Sequence, residues 1–319
     1  MVSQNFIPFM TFFRKEQQLE TLGDRILAET WAEFPILARN SIALTWIIYD
    51  APVPVNTGGA LSPLAFWGHE VRGFSYRGVE QIYPASVIKL FYLVAICEWL
   101  EKGMSQTSKE LERAIKDMIV DSSNDATSLV VDILSGTTSG PELPPGPFET
   151  WKMQRNIVNR YFQSLGWEEL QTININQKTW GDGPYGRERI FVGELMDNRN
   201  MLTTNATARL LHSIVGGVAV SAMQSQAMMG LLKRSLTELS NDEENQITGF
   251  LGGGLPNNAQ LWSKAGWTSK VRHDAAYIEI PGKQPYLLVV FIEGAASQNK
   301  AILPYISAKI AEYSDKVVG

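Results

Sequence analysis

The chain has 319 residues, of which 45% are hydrophobic and 19% are charged, a composition typical of globular proteins with a buried core. Its formal net charge is −5, and no long run of Lys or Arg is present. Nucleic acids and anionic membranes are therefore not expected partners. The one cysteine, Cys97, excludes an intramolecular disulfide and a cysteine-based metal site. The three histidines lie far apart in the sequence, so we expect no metal and no cofactor.

The sequence contains no apolar run of transmembrane length. Residues 6–13 are largely apolar, but no basic residue precedes them and no small-residue cleavage site follows, so they do not resemble a secretory signal. On sequence alone we expect a cytoplasmic protein. The sequence carries no information on the oligomeric state.

The first part of the chain predicts one helix and two strands. Charged and apolar residues alternate at helical spacing from Gln17 to Phe34 and stop before Pro35, which predicts an amphipathic helix. The apolar residues 42–49 predict a strand, and residues 66–76 predict a second strand that forms a hairpin with it. The connection between them, residues 52–63, is rich in turn-forming residues.

A largely buried helix is predicted from about Pro84 to Lys102, with Ser86 in its first turn and Lys89 three residues later on the same face. A serine hydroxyl becomes a nucleophile when a neighbouring base takes its proton. A lysine can be that base if burial or another cation lowers its pKa. The spacing S-x-x-K also arises by chance. Ser297 and Lys300 have it as well, but in a polar connection that no buried helix follows.

The middle of the chain is predicted to be mostly helical. A polar segment, residues 121–126, separates the predicted helices 107–120 and 129–134. Residues 167–200 show no regular pattern. A loop of that length within a compact domain is usually functional or mobile. The predicted helices cover residues 107–120, 129–134, 151–165, 206–215 and 220–237.

The C-terminal part changes to a strand pattern, with strands predicted at residues 261–268, 275–280 and 286–293 and a closing helix at 301–316. Strands at both ends with helices between them predict an α+β fold, in which both chain ends build one antiparallel sheet and an all-helical lobe is inserted. We expect an N-terminal segment and helix (1–40) and one further unit (41–319). In that unit, residues 41–82 and 259–319 form the sheet lobe and residues 83–258 the helical lobe.

Three short motifs recur in a fixed order: Ser86-x-x-Lys89, Ser122-Ser123-Asn124 and Lys264-Ala265-Gly266. This order resembles the serine β-lactamase and penicillin-binding-protein superfamily, and most closely the class A β-lactamases. The resemblance covers roughly residues 42–313. It implies the β-lactamase/transpeptidase-like fold and, if a signal has been removed, a periplasmic or secreted location.

The resemblance assigns catalytic roles to four matched residues. It implies that Ser86 is the nucleophile and that Lys89 accepts or relays its proton. Ser122 would pass a proton to the leaving nitrogen, and Lys264 would bind the substrate carboxylate and tune the local pKa values. We therefore expect Ser86 and Lys89 within hydrogen-bond reach, and Ser122 and Lys264 in the same cleft between sheet and lobe.

The resemblance also implies a substrate-binding surface. Asn124 would hold the side-chain amide of the substrate. Ala265 and Gly266 would line the cleft, and the main-chain N–H groups of Ser86 and Trp267 would form an oxyanion hole. Each such donor is typically worth about 10²–10³ in rate.

The chain departs from the family pattern at several positions. Ala265 replaces a residue that carries a hydroxyl, Ser123 replaces an aspartate, and Ser128 stands where class A enzymes have an asparagine that braces the active-site loop. That loop, residues 171–202, does not align cleanly. Two glutamates remain open as the base that activates the deacylating water: Glu194, which has an asparagine four residues on, and Glu188, which lies nearer the expected position.

The expected function is therefore a serine hydrolase of the β-lactamase type, which is acylated on Ser86 by β-lactam antibiotics and hydrolyses their amide slowly. One alternative is an enzyme that resembles penicillin-binding proteins and D-Ala-D-Ala peptidases. Another is a non-catalytic descendant. The expected partner is a small molecule, either a β-lactam or a peptidoglycan-like peptide.

Overall fold

A computed structural model of the protein describes residues 12–50, 61–237 and 245–314. These ranges form a seven-stranded sheet, to which both ends of the chain contribute. The strands are β1 (Phe13–Lys15), β2 (Ile42–Ile48), β3 (Val71–Tyr76), β4 (Lys233–Arg234), β5 (Gln260–Trp267), β6 (Val271–Glu279) and β7 (Tyr286–Glu293). Their order is β1-β3-β2-β7-β6-β5-β4. All neighbours are antiparallel except β1 and β3, which are parallel.

Helices cover both faces of the sheet and make up the inserted lobe. The helices are α1 (Gln17–Glu33), α2 (Pro63–Trp67), α3 (Lys89–Glu101), α4 (Lys109–Val120), α5 (Asn124–Ser135), α6 (Pro145–Arg155), α7 (Ile157–Ser164), α8 (Gly186–Val192), α9 (Thr204–Val215), α10 (Ala222–Leu232) and α11 (Ile302–Tyr313). Short 3₁₀ turns lie at Arg39–Ser41, Ala85–Ile88, Glu168–Leu170, Leu251–Gly254 and Gly294–Gln298. None of the helices in the described ranges has the length and apolar character needed to cross a membrane.

Two hydrophobic clusters lie on opposite faces of the sheet. Strand β7 shows why: Leu287 and Val289 belong to the cluster that includes α3 and α9, whereas Leu288 and Val290 belong to the cluster with α1 and α11. Successive side chains of a strand point to opposite faces, so a continuous apolar run is required where both faces are covered. The predicted α+β fold with an inserted helical lobe is confirmed, although the parallel strand β1 makes the sheet mixed.

Helix α3 forms the centre of the helical lobe. Ten of its 13 residues are buried, which fits a helix that is apolar on all sides. The sequence predicted a single helix from about Pro84. In the structure a 3₁₀ turn, Ala85–Ile88, comes first, and α3 begins at Lys89. Ser86 therefore lies in a tight turn at the entry to α3.

Several element predictions were wrong in detail. The strand expected over residues 66–76 begins only at Val71, because the Ser62 side chain caps the short helix α2 and Pro63 occupies its first turn. The helix expected over 220–237 ends at Leu232 and is followed by the two-residue strand β4. The helix expected over 151–165 is two helices, α6, which begins at Pro145, and α7, which begins at Ile157. The turn-rich connection lies mostly outside the described residues, and the domain boundaries stay a prediction.

A buried histidine makes the stability of this fold depend on pH. His212 of α9 is 2% exposed, its Nδ1 lies 2.8 Å from the Tyr49 hydroxyl, and its ring packs against Phe66. Burial lowers the pKa of His212 to about 3. The unfolded chain takes up this proton near pH 6.5, so the stabilising contribution is present above pH 6.5 and is lost as pH falls towards 3.

We predict that His212→Phe removes this component of the acid sensitivity. Between pH 7.5 and pH 5, the difference in unfolding free energy between wild type and variant should change by about 2 kcal/mol in favour of the variant. Denaturant unfolding at the two pH values measures this difference. An equal loss of stability in both proteins would contradict the assignment.

Candidate active site

Three chain segments meet at the Ser122 hydroxyl group. Lys89 Nζ, at the start of α3, lies 3.2 Å from Ser122 Oγ. Lys264 Nζ, on β5, lies 2.9 Å from the same atom. Lys89 also donates to the Ser122 carbonyl oxygen and to Asn124 Oδ1 at 2.9 Å. The structure thus brings four of the residues from the three motifs into one hydrogen-bonded cluster.

Strand β5 passes directly beside the main chain of Ser86. A Cβ atom on Gly266 would lie 2.8 Å from the main-chain nitrogens of Ser86 and Val87 and from the Pro84 carbonyl oxygen. Such contacts are too short, so only glycine fits at this position. Gly266 therefore lets the strand that carries Lys264 and Trp267 approach the 3₁₀ turn that contains Ser86.

The Ser86 side chain is the least connected of the motif residues. Its main-chain oxygen accepts from the Lys89 N–H within the turn, but no hydrogen bond among the described residues joins Ser86 Oγ to Lys89 Nζ. The expected direct bond is therefore not formed. The physical reason is that Lys89 directs its amine to other groups, namely the Ser122 carbonyl, the Ser122 hydroxyl and Asn124.

Two residues of the site adopt a left-handed backbone that is unusual outside glycine. Ala85 has φ 46° and Ser122 has φ 56°. Each such residue costs about 1–3 kcal/mol and persists only where surrounding contacts enforce it. Ala85 precedes Ser86, and Ser122 carries the hydroxyl between the two lysines, so the strain lies at or beside motif residues.

His273 is one of the residues that hold the segment before the 3₁₀ turn Ala85–Ile88, and no sequence pattern predicted this role. Its Nδ1 accepts from the Ile292 N–H at 3.1 Å, so its other nitrogen, Nε2, carries the proton and donates to the Tyr83 carbonyl at 2.9 Å. Burial lowers the pKa of His273 to about 4, which keeps this neutral tautomer at physiological pH. His273 thus ties the segment before Ser86 to the sheet.

Arg234 and Gln246 connect the end of α4 to β5 through hydrogen bonds, and neither residue was predicted from the sequence to belong to the site. Arg234 donates to the carbonyl oxygens of Ile119 at 2.9 Å and Ser263 at 3.0 Å. Gln246 Nε2 donates to the Val120 carbonyl at 2.9 Å. Because Ser122 follows α4 directly, these bonds set the distance between its hydroxyl and Lys264.

The two lysines are buried close together. Burial lowers the pKa of Lys89 to about 7. Burial, and then the nearby charges of Lys89 and Arg234, lower the pKa of Lys264 well below its usual value. Within the described ranges, no carboxylate forms an ion pair with either amine. An amine whose pKa lies near neutrality can accept a proton and return it, as a general base requires.

The two candidate glutamates do not join this cluster. Glu188 is fully buried, and its Oε1 accepts from Ser139 Oγ at 2.9 Å and from Arg155 Nη2. Burial raises the pKa of Glu188, and Arg155 opposes the shift. Glu194 is exposed, and no hydrogen bond or ion pair of the described chain connects it with Lys89. The geometry therefore supports neither carboxylate as a base beside Lys89, and the assignment of Glu194 stays a prediction.

Asparagine side chains brace the irregular loop. Asn200 Oδ1 accepts from the main-chain N–H groups of Asn176 and Gln177, each at 2.9 Å. Asn198 Oδ1 accepts from Asn174 at 3.1 Å and from Asn176 at 2.9 Å. These contacts hold together the two ends of the loop, whereas no side-chain hydrogen bond to Ser128 is seen in this part of the structure. Two pairs of alternating asparagines in the sequence were the signal for this network.

The central and C-terminal parts of the chain match a known family. Residues 104–314, more than half of the chain, match the family model described as "Beta-lactamase enzyme family". The chain belongs to the beta-lactamase enzyme family. The match includes Ser122 and Lys264 but begins after Ser86 and Lys89, so the first motif is placed by the structure and not by the family model. No curated protein sequence matches the chain.

Solved β-lactamase and PBP-A structures have the same fold as this chain. A β-lactamase from Sphaerobacter thermophilus superposes with a TM-score of 0.60 at 16% identity, covering 92% of this chain and 98% of that protein. A mutant of PBP-A, solved as an acyl-enzyme complex with penicillin G, superposes with a TM-score of 0.64 at 16% identity, covering 95% and 98%. A variant of the last common ancestor of Gram-negative class A β-lactamases superposes with a TM-score of 0.60 at 16% identity, covering 93% and 100%. At these identities the comparison shows a shared fold.

We predict that the rate at which a fluorophosphonate labels Ser86 rises with pH through an inflection near 7. Neutral Lys89 can accept the Ser86 proton, and Lys89 is neutral only above its pKa of about 7. Labelling rates from pH 5.5 to pH 9 test this. Lys89→Arg should abolish the inflection, whereas Lys300→Arg, in the second S-x-x-K sequence, should keep it. A flat profile in the wild type would contradict the role of Lys89.

Proposed function

We propose that this member of the beta-lactamase family is a serine hydrolase that β-lactams acylate on Ser86 and that releases the product slowly. The observation that carries the proposal is the Ser122 hydroxyl, which lies 3.2 Å from Lys89 Nζ and 2.9 Å from Lys264 Nζ. This arrangement supplies both a base for the nucleophile and a proton for the leaving group. The family membership and the shared fold support the proposal.

In acylation, Ser86 Oγ bonds to the carbonyl carbon of the lactam, and its proton moves to neutral Lys89. The main-chain N–H groups of Ser86 and Trp267 would stabilise the developing oxyanion. The carbon–nitrogen bond of the lactam then breaks, and the nitrogen takes the Ser122 hydroxyl proton. Lys89 returns a proton to Ser122 across the 3.2 Å contact. The step ends with an ester on Ser86 and a neutral Lys89.

Deacylation is the slow step in this proposal. An acyl-enzyme is hydrolysed by a water whose proton a positioned base removes. Glu188 is paired with Arg155 inside the helical lobe, and Glu194 is exposed to solvent. Lys89 then serves as the base for both steps. A positioned base usually contributes about 10²–10⁴ in rate, so the lack of a second base dedicated to deacylation predicts a long-lived ester.

A penicillin-binding-protein-like activity is the second candidate. It is favoured by the same observation, because an enzyme without a deacylation carboxylate keeps its acyl group. The similarity to a PBP-A mutant solved as an acyl-enzyme complex with penicillin G is consistent with it. The lifetime of the ester separates the two: minutes or less indicate a slow β-lactamase, and a lasting adduct indicates a penicillin-binding enzyme.

We predict that penicillin adds its full mass to the wild-type protein and that Ser86→Ala abolishes the adduct. Ser297→Ala is the matched control, because Ser297 belongs to the second S-x-x-K sequence but lies in the turn that follows β7, whereas Ser86 lies beside Gly266 of β5. This variant should label normally. Intact-protein mass spectrometry makes the measurement. An adduct on Ser86→Ala equal to that of the wild type would reject Ser86 as the nucleophile. No adduct on the wild type would favour the non-catalytic descendant.

We predict burst kinetics with a chromogenic cephalosporin, because acylation is faster than deacylation. Stopped-flow absorbance should show a burst of about one equivalent followed by slow turnover. Glu194→Gln should leave both phases unchanged, since Glu194 is exposed and away from the lysine cluster. Fast turnover without a burst would show that deacylation is intact. A slower second phase in Glu194→Gln would identify that residue as the base.

A further inference from the structure

The amine of Lys264 has no free hydrogen-bonding position. Lys264 is fully buried. Its Nζ lies 2.9 Å from Ser122 Oγ and 2.8 Å from the Ala265 carbonyl oxygen, and it donates to Gln246 Oε1. A lysine amine makes at most three strong hydrogen bonds. A substrate carboxylate could bind to Lys264 only by displacing one of these partners.

Gln246 is fixed in this place by contacts at both ends of its amide. The residue is 7% exposed. Its Nε2 donates to the Val120 carbonyl at 2.9 Å, and its Oε1 also accepts from the Ala265 N–H at 3.3 Å. Displacing Gln246 from Lys264 would also break its bonds to the Val120 carbonyl and to the buried Ala265 N–H, which is costly.

The other donors around the cleft are also occupied. Ala265 has no hydroxyl group, and its side chain packs in the cluster with α1 and α11. Each guanidinium nitrogen of Arg234 donates to a main-chain carbonyl oxygen. Lys89 donates to Ser122 and Asn124. Among the described residues, no cationic nitrogen of this cluster is without an acceptor.

We infer that this site prefers acyl donors that carry no carboxylate beside the scissile bond, such as neutral esters, amides and lactams, and that Gln246 is the residue that sets this preference. The inference rests on the proposed acylation of Ser86. Lys264 then acts on Ser122 alone. In this arrangement Lys264 bonds to the Ser122 hydroxyl, to Gln246 and to the Ala265 carbonyl oxygen.

Two pairs of probes that differ only in a carboxylate test the inference. One pair is benzylpenicillin and its methyl ester. The other is p-nitrophenyl hydrogen succinate and its methyl ester. With these, the Ser86 ester forms, the aryl ester C–O bond breaks, nitrophenolate leaves and Lys89 takes the Ser86 proton. Acylation rates are measured by mass spectrometry and by nitrophenolate release.

The wild type should react faster with the neutral member of each pair. Gln246→Ala frees one donor of Lys264, so its ratio of anionic to neutral rates should rise by about tenfold or more. Gln246→Glu keeps the size of the side chain but adds a negative charge, so its ratio should fall. Gln224→Ala is the control, because the Gln224 side chain bonds only to the surface residue Glu101 among the contacts seen, and the ratio of this variant should stay at the wild-type value.

The outcomes separate this inference from the proposed function. A wild type that prefers the anionic probes, or a ratio that neither Gln246 variant moves, overturns the inference and leaves the acylation of Ser86 standing. Nitrophenyl esters that acylate Ser86 with the predicted preference, without any penicillin adduct, would overturn the β-lactam function and support the inference. Failure of both probe pairs would overturn both.

Discussion

The contact on which the active site depends is the Ser122 hydroxyl between two buried amines. Lys89 and Lys264 come from a helix and a strand that are far apart in the sequence, and their mutual repulsion must be offset by acceptors. The acceptors are all neutral oxygens: the Ser122 hydroxyl, main-chain carbonyls and the amides of Asn124 and Gln246. Neutral acceptors stabilise a buried ammonium less than a carboxylate would, so both lysine pKa values fall. Low pKa values are what proton transfer between serine hydroxyls and a substrate requires.

The rest of the fold holds Lys89, Ser122 and Lys264 in their relative positions. Helix α3 is buried because it is apolar on all sides, and this places Lys89 at its first position out of reach of solvent. Gly266 lets β5 lie against the 3₁₀ turn that contains Ser86, and His273 ties the segment before this turn to the sheet through the Tyr83 carbonyl. The left-handed backbone at Ala85 and Ser122 is the cost of this arrangement, and it falls at or beside motif residues.

Much of this could be predicted from the sequence, and what could not has a physical reason. The three motifs identified Ser86, Lys89, Ser122 and Lys264 because each has a local spacing, and the change from helical to strand periodicity gave the fold class. His273, Arg234 and Gln246 could not be found in this way, since each acts through a single contact across distant segments and belongs to no local pattern. Strand β4 was missed because two residues cannot show a period. The glutamate spacing at Glu194 was present in the sequence, but the fold leaves that residue in solvent.

In the proposed mechanism both proton transfers fall to the lysine–serine cluster, because neither candidate glutamate bonds to it. Glu188 pairs with Arg155, and Glu194 is exposed. A crystal structure of the protein after reaction with penicillin would test this claim most directly. The account predicts continuous density from Ser86 Oγ to the opened lactam, with the ester oxygen between the N–H groups of Ser86 and Trp267 and the ring nitrogen beside Ser122. A ligand attached to another residue, or an ester whose nitrogen faces away from Ser122, would contradict it.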